Sequence, residues 1–441
     1  MAKKPAVPPG PNQGGLTRTV APLAPLAIAL LAGQAMSTHA VAPSSPAPAS
    51  KTIAVAAVRS GRTPAPLLSA GKSVDWWFVF KFNSETLPGC DGGALRSCPF
   101  GGTVQPYNHF SQQFAYASSM DQSLQEGGGC LGDGTTDPVG ATFDQVYDGH
   151  FFYVVWNDQL DGDPANTQSS PAGHSKGLLA WDNDGNGLVM QVSTPSWPGS
   201  GSSQSPRQTD GNSLGCVKDN DVLVSQHFFA LKLNKDDVVD VLKALNNASV
   251  VTDPAKPELL NNGGPQDIQD LAGSLGKHSH SKTVVKEVLS SGVTLLSKPS
   301  GLEVPPWQMV SAMLGGEPLR VASWWTRPEI PTTTATDTVG CWDPSLGKPG
   351  AVEIATSGTW SGKAIGLEGI AEPDGNHAKI GVSTGTHSYV IFGDMNQQGS
   401  LSGPNCNSSQ NGRGGLFYVV DNSQLVSSVR ALVKGGTAPR Q

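Results

Sequence analysis

The stretch GHSKGLLAWDNDGNG, Gly173 to Gly187, decides the fold because its two ends invite incompatible readings. Read from Asp182, it opens like the calcium loop of a helix-loop-helix unit, with Asp182, Asp184, Asn186 and Gly187 at the expected offsets. The twelfth position is then Ser193, which cannot bind an ion through a bidentate carboxylate, and the flanks Leu178–Trp181 and Leu188–Ser193 are short apolar runs suited to strands. The stretch therefore predicts a β-hairpin, with DNDGNG as a turn of residues that tolerate left-handed backbone, and no metal. Read from His174, the same stretch places a histidine and a lysine two apart, so an extended chain points both side chains to one face.

That layout occurs again in GNHAKIGVSTGTHSYVIFGDMN. His377 and Lys379 begin a strand, Thr384-Gly385-Thr386 turns it, and a return strand ends in Gly393-Asp394-Met395-Asn396, with the second histidine 203 residues after the first (377 − 174). Two units, each donating one His and one Lys, predict a pseudo-twofold site at their junction. Such a site suits a phosphodiester: one imidazole attacks phosphorus, the other protonates the leaving oxygen, and two ammonium groups neutralise the non-bridging oxygens. No metal or cofactor is needed for that scheme. His280-Ser281-Lys282 in KHSHSKTVVKEVL is a third H-x-K triplet, but without the strand and glycine turn; it reads as a surface segment leading into a helix.

Around these units the chain has 441 residues, 37% hydrophobic and 15% charged, with 53 glycines and 34 prolines. That balance predicts a mixed α and β protein, an α/β (α+β) fold weighted toward short strands and turns. Lys3, Lys4 and Arg18 precede the apolar run APLAPLAIALLAG, which is laid out like a secretory signal peptide over residues 1–42 and is too short for a membrane span. Its loss removes three cations and no acids, taking the formal charge from −7 to −10. An acidic chain argues against a standing nucleic-acid binder, though not against an enzyme that grips a few phosphates and lets go. The six scattered cysteines read as disulfide partners of a secreted or periplasmic protein, with Cys90–Cys98 as the expected local pair.

Residues 43–70 read as a Pro/Ala/Ser-rich linker, with folded structure expected from about Val74. VDWWFVFKF predicts a core strand with Trp76, Phe78, Phe80 and Phe82 on one face, and HFFYVVWND, His150 to Asp158, predicts another. KDDVVDVLKALNNA carries Val238, Val239, Leu242 and Leu245 at helical spacing, and SQLVSSVRALV predicts a second amphipathic helix.

Gly173-His174-Ser175-Lys176-Gly177, the Asp184-Gly185 turn, His377-Ala378-Lys379, Gly393-Asp394-Met395-Asn396 and Arg413-Gly414-Gly415 together resemble the deoxyribonuclease II family, as do VDWWFVFKF and the WNDQ segment, Trp156 to Gln159. The family is similar in its twin H-x-K design to the phospholipase D superfamily. The resemblance implies a catalytic domain over 71–436, made of two pseudo-repeated αβ halves, about 71–248 and 249–436, whose central mixed sheets meet over a DNA cleft. It implies His174 as nucleophile and His377 as general acid, an order resting on analogy with the superfamily, with Lys176 and Lys379 as phosphate clamps and Asn396 as an orienting amide. Arg413 is the candidate contact to the DNA backbone, and Asp394 either orients a histidine or closes a turn. Two positions depart from the family: Ala378 replaces a hydroxyl residue, and Ile380 stands where animal members often have Trp.

The expected protein is therefore a secreted, metal-independent endonuclease that cuts DNA through a phosphohistidine and leaves 3′-phosphate ends. A phospholipase D-like phosphodiesterase acting on lipid or small phosphodiesters, and a non-catalytic binding module, are the alternatives.

Overall fold

Trp76, Phe78, Phe80 and Phe82 do share one buried face, and that face meets a second sheet. A computed structural model describes residues 62–89, 97–104, 109–162, 169–217 and 222–440, all within the compact unit Val55–Gln441. The expected signal peptide lies outside the described residues.

A small hairpin, β1 (Leu67–Ser69) and β2 (Lys72–Ser73), precedes β3 (Trp76–Lys81), β4 (Phe114–Ser118) and β5 (Gln125–Glu126). Helix α1 (Pro138–Tyr147) follows, then β6 (Phe152–Asn157), β7 (Lys176–Trp181), β8 (Gly187–Val192), β9 (Gln226–Leu233), α2 (Lys235–Asn247), β10 (Leu260–Asn261) and α3 (Gln266–Gly273). The second part contains β11 (Val285–Val288), β12 (Thr294–Lys298), α4 (Pro306–Met313), β13 (Leu319–Ala322) and β14 (Val352–Ile354). A hairpin of β15 (Ser357–Trp360) and β16 (Lys363–Gly366) leads to β17 (Ile380–Ser383), β18 (Tyr389–Gly393), β19 (Gly415–Asp421) and α5 (Ser423–Leu432).

The strands form an eight-stranded sheet, β10-β6-β7-β8-β9-β3-β4-β5, and a seven-stranded sheet, β11-β12-β19-β18-β17-β13-β14. The first is antiparallel throughout; the second is mixed through its one parallel pair, β13 with β14. Their inner faces pack on each other. Phe392 of β18 lies with its ring centroid 4.5 Å from both Phe78 and Phe229, and Tyr418 lies 5.6 Å from Phe229. Helices α2 and α5 join this seam through Val238, Leu242 and Leu245 and through Leu425 and Val429. The outer face of the first sheet is covered by α1 through Val139, Phe143 and Val146. That of the second is covered by α4 through Trp307, Met309 and Val310.

The internal repeat extends beyond the H-x-K units. β7-β8-β9-α2 and β17-β18-β19-α5 share one order, and in each a single Asn caps the helix that leaves the last strand. The side chain of Asn234 accepts from Asp237 N–H, and that of Asn422 from Leu425 N–H. Register agrees as well: Lys81 on β3 faces Gln226 on β9, and Lys298 on β12 faces Gly415 on β19.

Three local expectations are corrected. Order begins before Val74: Leu67–Ser69 is a strand, and the hydroxyl of Thr63 bonds Asp182 Oδ2 at 2.5 Å, so the end of the predicted linker is docked. Cys98 pairs with Cys216, 118 residues away, and not with Cys90, which lies outside the described residues; Cys341 pairs with Cys406. KHSHSKTVVKEVL leads into edge strand β11 and not into a helix, although His280 is exposed as expected. The DNDGNG segment is the predicted turn: Asp182 Oδ1 accepts from Asp184 N–H at 2.9 Å and Asn186 N–H at 3.0 Å, and Gly185 takes φ of 87°. No helix among the described residues is long and apolar enough to cross a membrane.

Candidate active site

The two H-x-K units occupy equivalent places. Lys176 opens β7 and Lys379 stands immediately before β17, so each histidine lies just beyond a strand end. The halves are joined there by crossed backbone bonds. His174 N–H donates to Gly414 O at the start of β19, and His377 N–H donates to Ser225 O at the start of β9, each at 2.7 Å. Each histidine is thus held by the other half of the molecule. The crossing is tight: a Cβ on Gly414 would lie 2.1 Å from Ala248 O, just past the end of α2, so the R-G-G segment needs glycine here for close approach.

On the first side the charged groups are bonded to one another. Lys176 Nζ donates to Asp158 Oδ1 at 2.6 Å, and Arg413 Nη2 donates to Asp158 Oδ2 at 2.8 Å. Burial favours a neutral Asp158, but Lys176, His174 and Arg413 overcome it and hold the carboxyl well below its usual range. Arg413, expected as a DNA contact, is buried and also donates to Ala172 O at 2.9 Å and Gly173 O at 2.7 Å, which makes it part of the wall behind His174. His174 Nδ1 lies 2.7 Å from Asp394 O. A carbonyl can only accept, so Nδ1 carries the hydrogen and, in the neutral ring, Nε2 carries the lone pair. Asp394 therefore orients the histidine through its main chain. Its carboxylate accepts from Gln191 Nε2 at 2.9 Å and Leu416 N–H at 2.8 Å, and burial raises its pKa to about 7.

The second side differs. Lys379 is buried, its ammonium donates to His377 O, and its backbone N–H donates to His227 Nδ1 at 3.1 Å. His377 is partly exposed, its Nδ1 lies 3.5 Å from Gln226 Nε2, and its ring meets Trp324 at 4.2 Å, edge to face. Burial first, and then the field of Lys176, hold Lys379 well below its ordinary value. Burial likewise drives both histidines well below 6.5, with Lys176 next for His174 and Lys379 next for His377. Each histidine feels the other half's lysine, so the four groups share one field. Asn396 is buried; its Nδ2 donates to Gln398 Oε1 at 2.8 Å, and its Oδ1 finds no partner among the described residues.

Ile380 has a packing reason. Gly177 in the first unit faces Trp156, and a Cβ there would lie 2.5 Å from the indole; Ile380 faces Ala322, so large and small have changed places across the strand pair. Ser175 accepts from Trp156 Nε1 at 2.7 Å, a bond that its counterpart, buried Ala378, cannot make. Among the described residues no group of three or more His, Cys, Asp or Glu side chains is placed to hold a metal ion.

The deoxyribonuclease II family model matches residues 66–437, which takes in both sheets, both H-x-K units and the crossed bonds between them. The chain belongs to the deoxyribonuclease II family. The curated deoxyribonuclease-2-alpha of Rattus norvegicus is 28% identical over 166 residues, covering 35% of this chain and 42% of that protein. The match thus spans less than half of that relative's length.

Sequence reading missed Asp158, Gln226, His227 and Trp324, all of which touch the family's H-x-K residues. Asp158 carried one usable signal: it directly follows an apolar strand and belongs to the WNDQ segment. His227 and Gln226 open β9 as an ordinary polar start to an apolar strand, which marks no chemistry by itself.

Proposed function

We propose that the protein is a secreted, metal-independent endonuclease that hydrolyses DNA phosphodiester bonds. The observation that carries this reading is the pair of histidines crossed between the halves, each beside a buried lysine, with His174 Nδ1 tied to a carbonyl. His174 Nε2 attacks phosphorus, the P–O5′ bond breaks, and His377 gives its proton to the departing 5′-oxygen. The phosphohistidine retains the 3′ side of the DNA. Water then attacks phosphorus, His377 takes the water's proton, the P–N bond breaks, and a 3′-phosphate leaves. Lys176 and Lys379 stabilise the non-bridging oxygens in both steps, supplying the charge that a metal ion would otherwise bring. Asn396, whose amide oxygen finds no partner among the described residues, orients a group at the site. The two disulfides among the described residues support an oxidising compartment, secreted or periplasmic.

The test is digestion of DNA in excess EDTA, followed by polymerase extension of the fragments before and after phosphatase treatment. Undiminished cutting with ends that extend only after phosphatase is expected. Loss of cutting in EDTA defeats metal independence, and ends that extend directly defeat the assigned leaving group.

A further inference from the structure

The two sides of the site share one plan of strands, and they differ most in charge at one pair of equivalent positions. Asn157 faces Lys176 across β6 and β7, so Asp158 is the first residue past the end of that pairing. In the second half Ala322 faces Ile380, which puts Ser323 beside Lys379 and Trp324 at the place of Asp158. The first side has a fully buried carboxylate that ties down Lys176 and Arg413. The second has an indole against the catalytic imidazole.

We propose that Trp324 is a nucleobase-stacking platform for the nucleotide on the 3′ side of the cut bond, the one whose 5′-oxygen leaves; this rests on the function proposed above. The surface opens along this segment: Ser323 is buried, Trp324, Trp325 and Thr326 are partly exposed, and Arg327 is exposed. His377 is partly exposed, whereas His174 is only 6% exposed, so the approach from solvent lies on the Trp324 side. The indole backbone is fixed where it stands. Gly369 packs against it so closely that a Cβ there would lie 2.3 Å from Trp325 N and 2.8 Å from Trp324 C. A flat, partly exposed aromatic ring 4.2 Å from the proton donor is what a base adjoining the leaving oxygen would meet. Stacking of this kind tolerates any base, so it positions the strand without reading its sequence. It also supplies, just past the end of the neighbouring strand, the aromatic contact that Ile380 cannot offer.

The experiment uses the full chain and short single-stranded oligonucleotides in which methylphosphonates leave one cleavable phosphodiester. An abasic residue is placed either immediately 3′ or immediately 5′ of that bond. For the wild-type protein we expect a loss in kcat/KM of about 5-fold or more for the 3′ abasic site, the lower end of what base–aromatic stacking supplies, and little loss for the 5′ one. Trp324→Ala should lose a similar factor on the unmodified strand and nothing further from the 3′ abasic site, while Trp324→Phe should recover most of the difference. A merely structural indole would cost Trp324→Ala equally on all three substrates and leave its 3′ abasic penalty intact. That result, or a wild-type protein indifferent to the 3′ abasic site or sensitive to the 5′ one, overturns the proposal. No cleavage of any strand by the wild type would instead remove the nuclease reading and this inference with it.

Discussion

His174, His280 and His377 all sit in H-x-K triplets, yet only the first and third are fixed by the opposite half of the molecule, while His280 is exposed on the approach to an edge strand. His174→Ala and His377→Ala should each lower kcat by about 100-fold or more, and His280→Ala should leave it unchanged, as measured on plasmid DNA with circular dichroism confirming that all three variants fold. Activity in His377→Ala together with inactivity in His280→Ala would reverse the choice of second motif. The two histidines and lysines were legible because each pair lies within three residues and the spacing carries the geometry. The bond between Asp158 and Arg413 was not, since it joins residues 255 apart and no local pattern announces it. Arg413, expected as a contact to the DNA backbone, is buried instead, because the glycine beside it lets the loop pack against the end of α2.

Among the elements, α2 and α5 were readable because each turns one apolar stripe to the seam and the other to water. β11 was misread because Val284, Val285, Val288 and Leu289 fall at spacings a helix also uses, while the strand pairs on one side only and exposes most of its residues. Helix α1 gave no stripe at all, since eight of its ten residues are buried. Its start holds a testable electrostatic feature. Asp137 caps α1 by accepting from Gly140 N–H at 2.8 Å, but the carboxyl is buried, Oδ2 has no partner among the described residues, and burial raises its pKa from 3.8 to about 7. The folded state therefore binds more protons than the unfolded one between those values, so this group withdraws stability as pH rises from about 4 to 7 and no further above that. Asp137→Asn keeps a good cap and loses the titration. Its melting temperature should rise relative to wild type across that interval and then hold a constant difference. A difference independent of pH would show that the carboxyl is ionised in the folded protein throughout.

At the scale of the whole molecule, assembly of the halves brings both lysines to both histidines. The proposed chemistry requires His174 neutral and His377 protonated in the free enzyme, and burial with the lysine fields lowers both values below 6.5. The acid limb, set by His174, and the alkaline limb, set by His377, should both move down. The profile of kcat/KM against pH is thus expected to be a bell with its maximum below 6.5, and a maximum above neutrality would contradict these assignments. The same assembly governs when activity can first exist. Gly414 supplies the carbonyl that holds His174, so a chain still on the ribosome has no finished site until residue 414 has been joined. On the proposed activity, the histidine that would attack DNA stays unheld during synthesis until the residue 240 positions after it (414 − 174) has been joined.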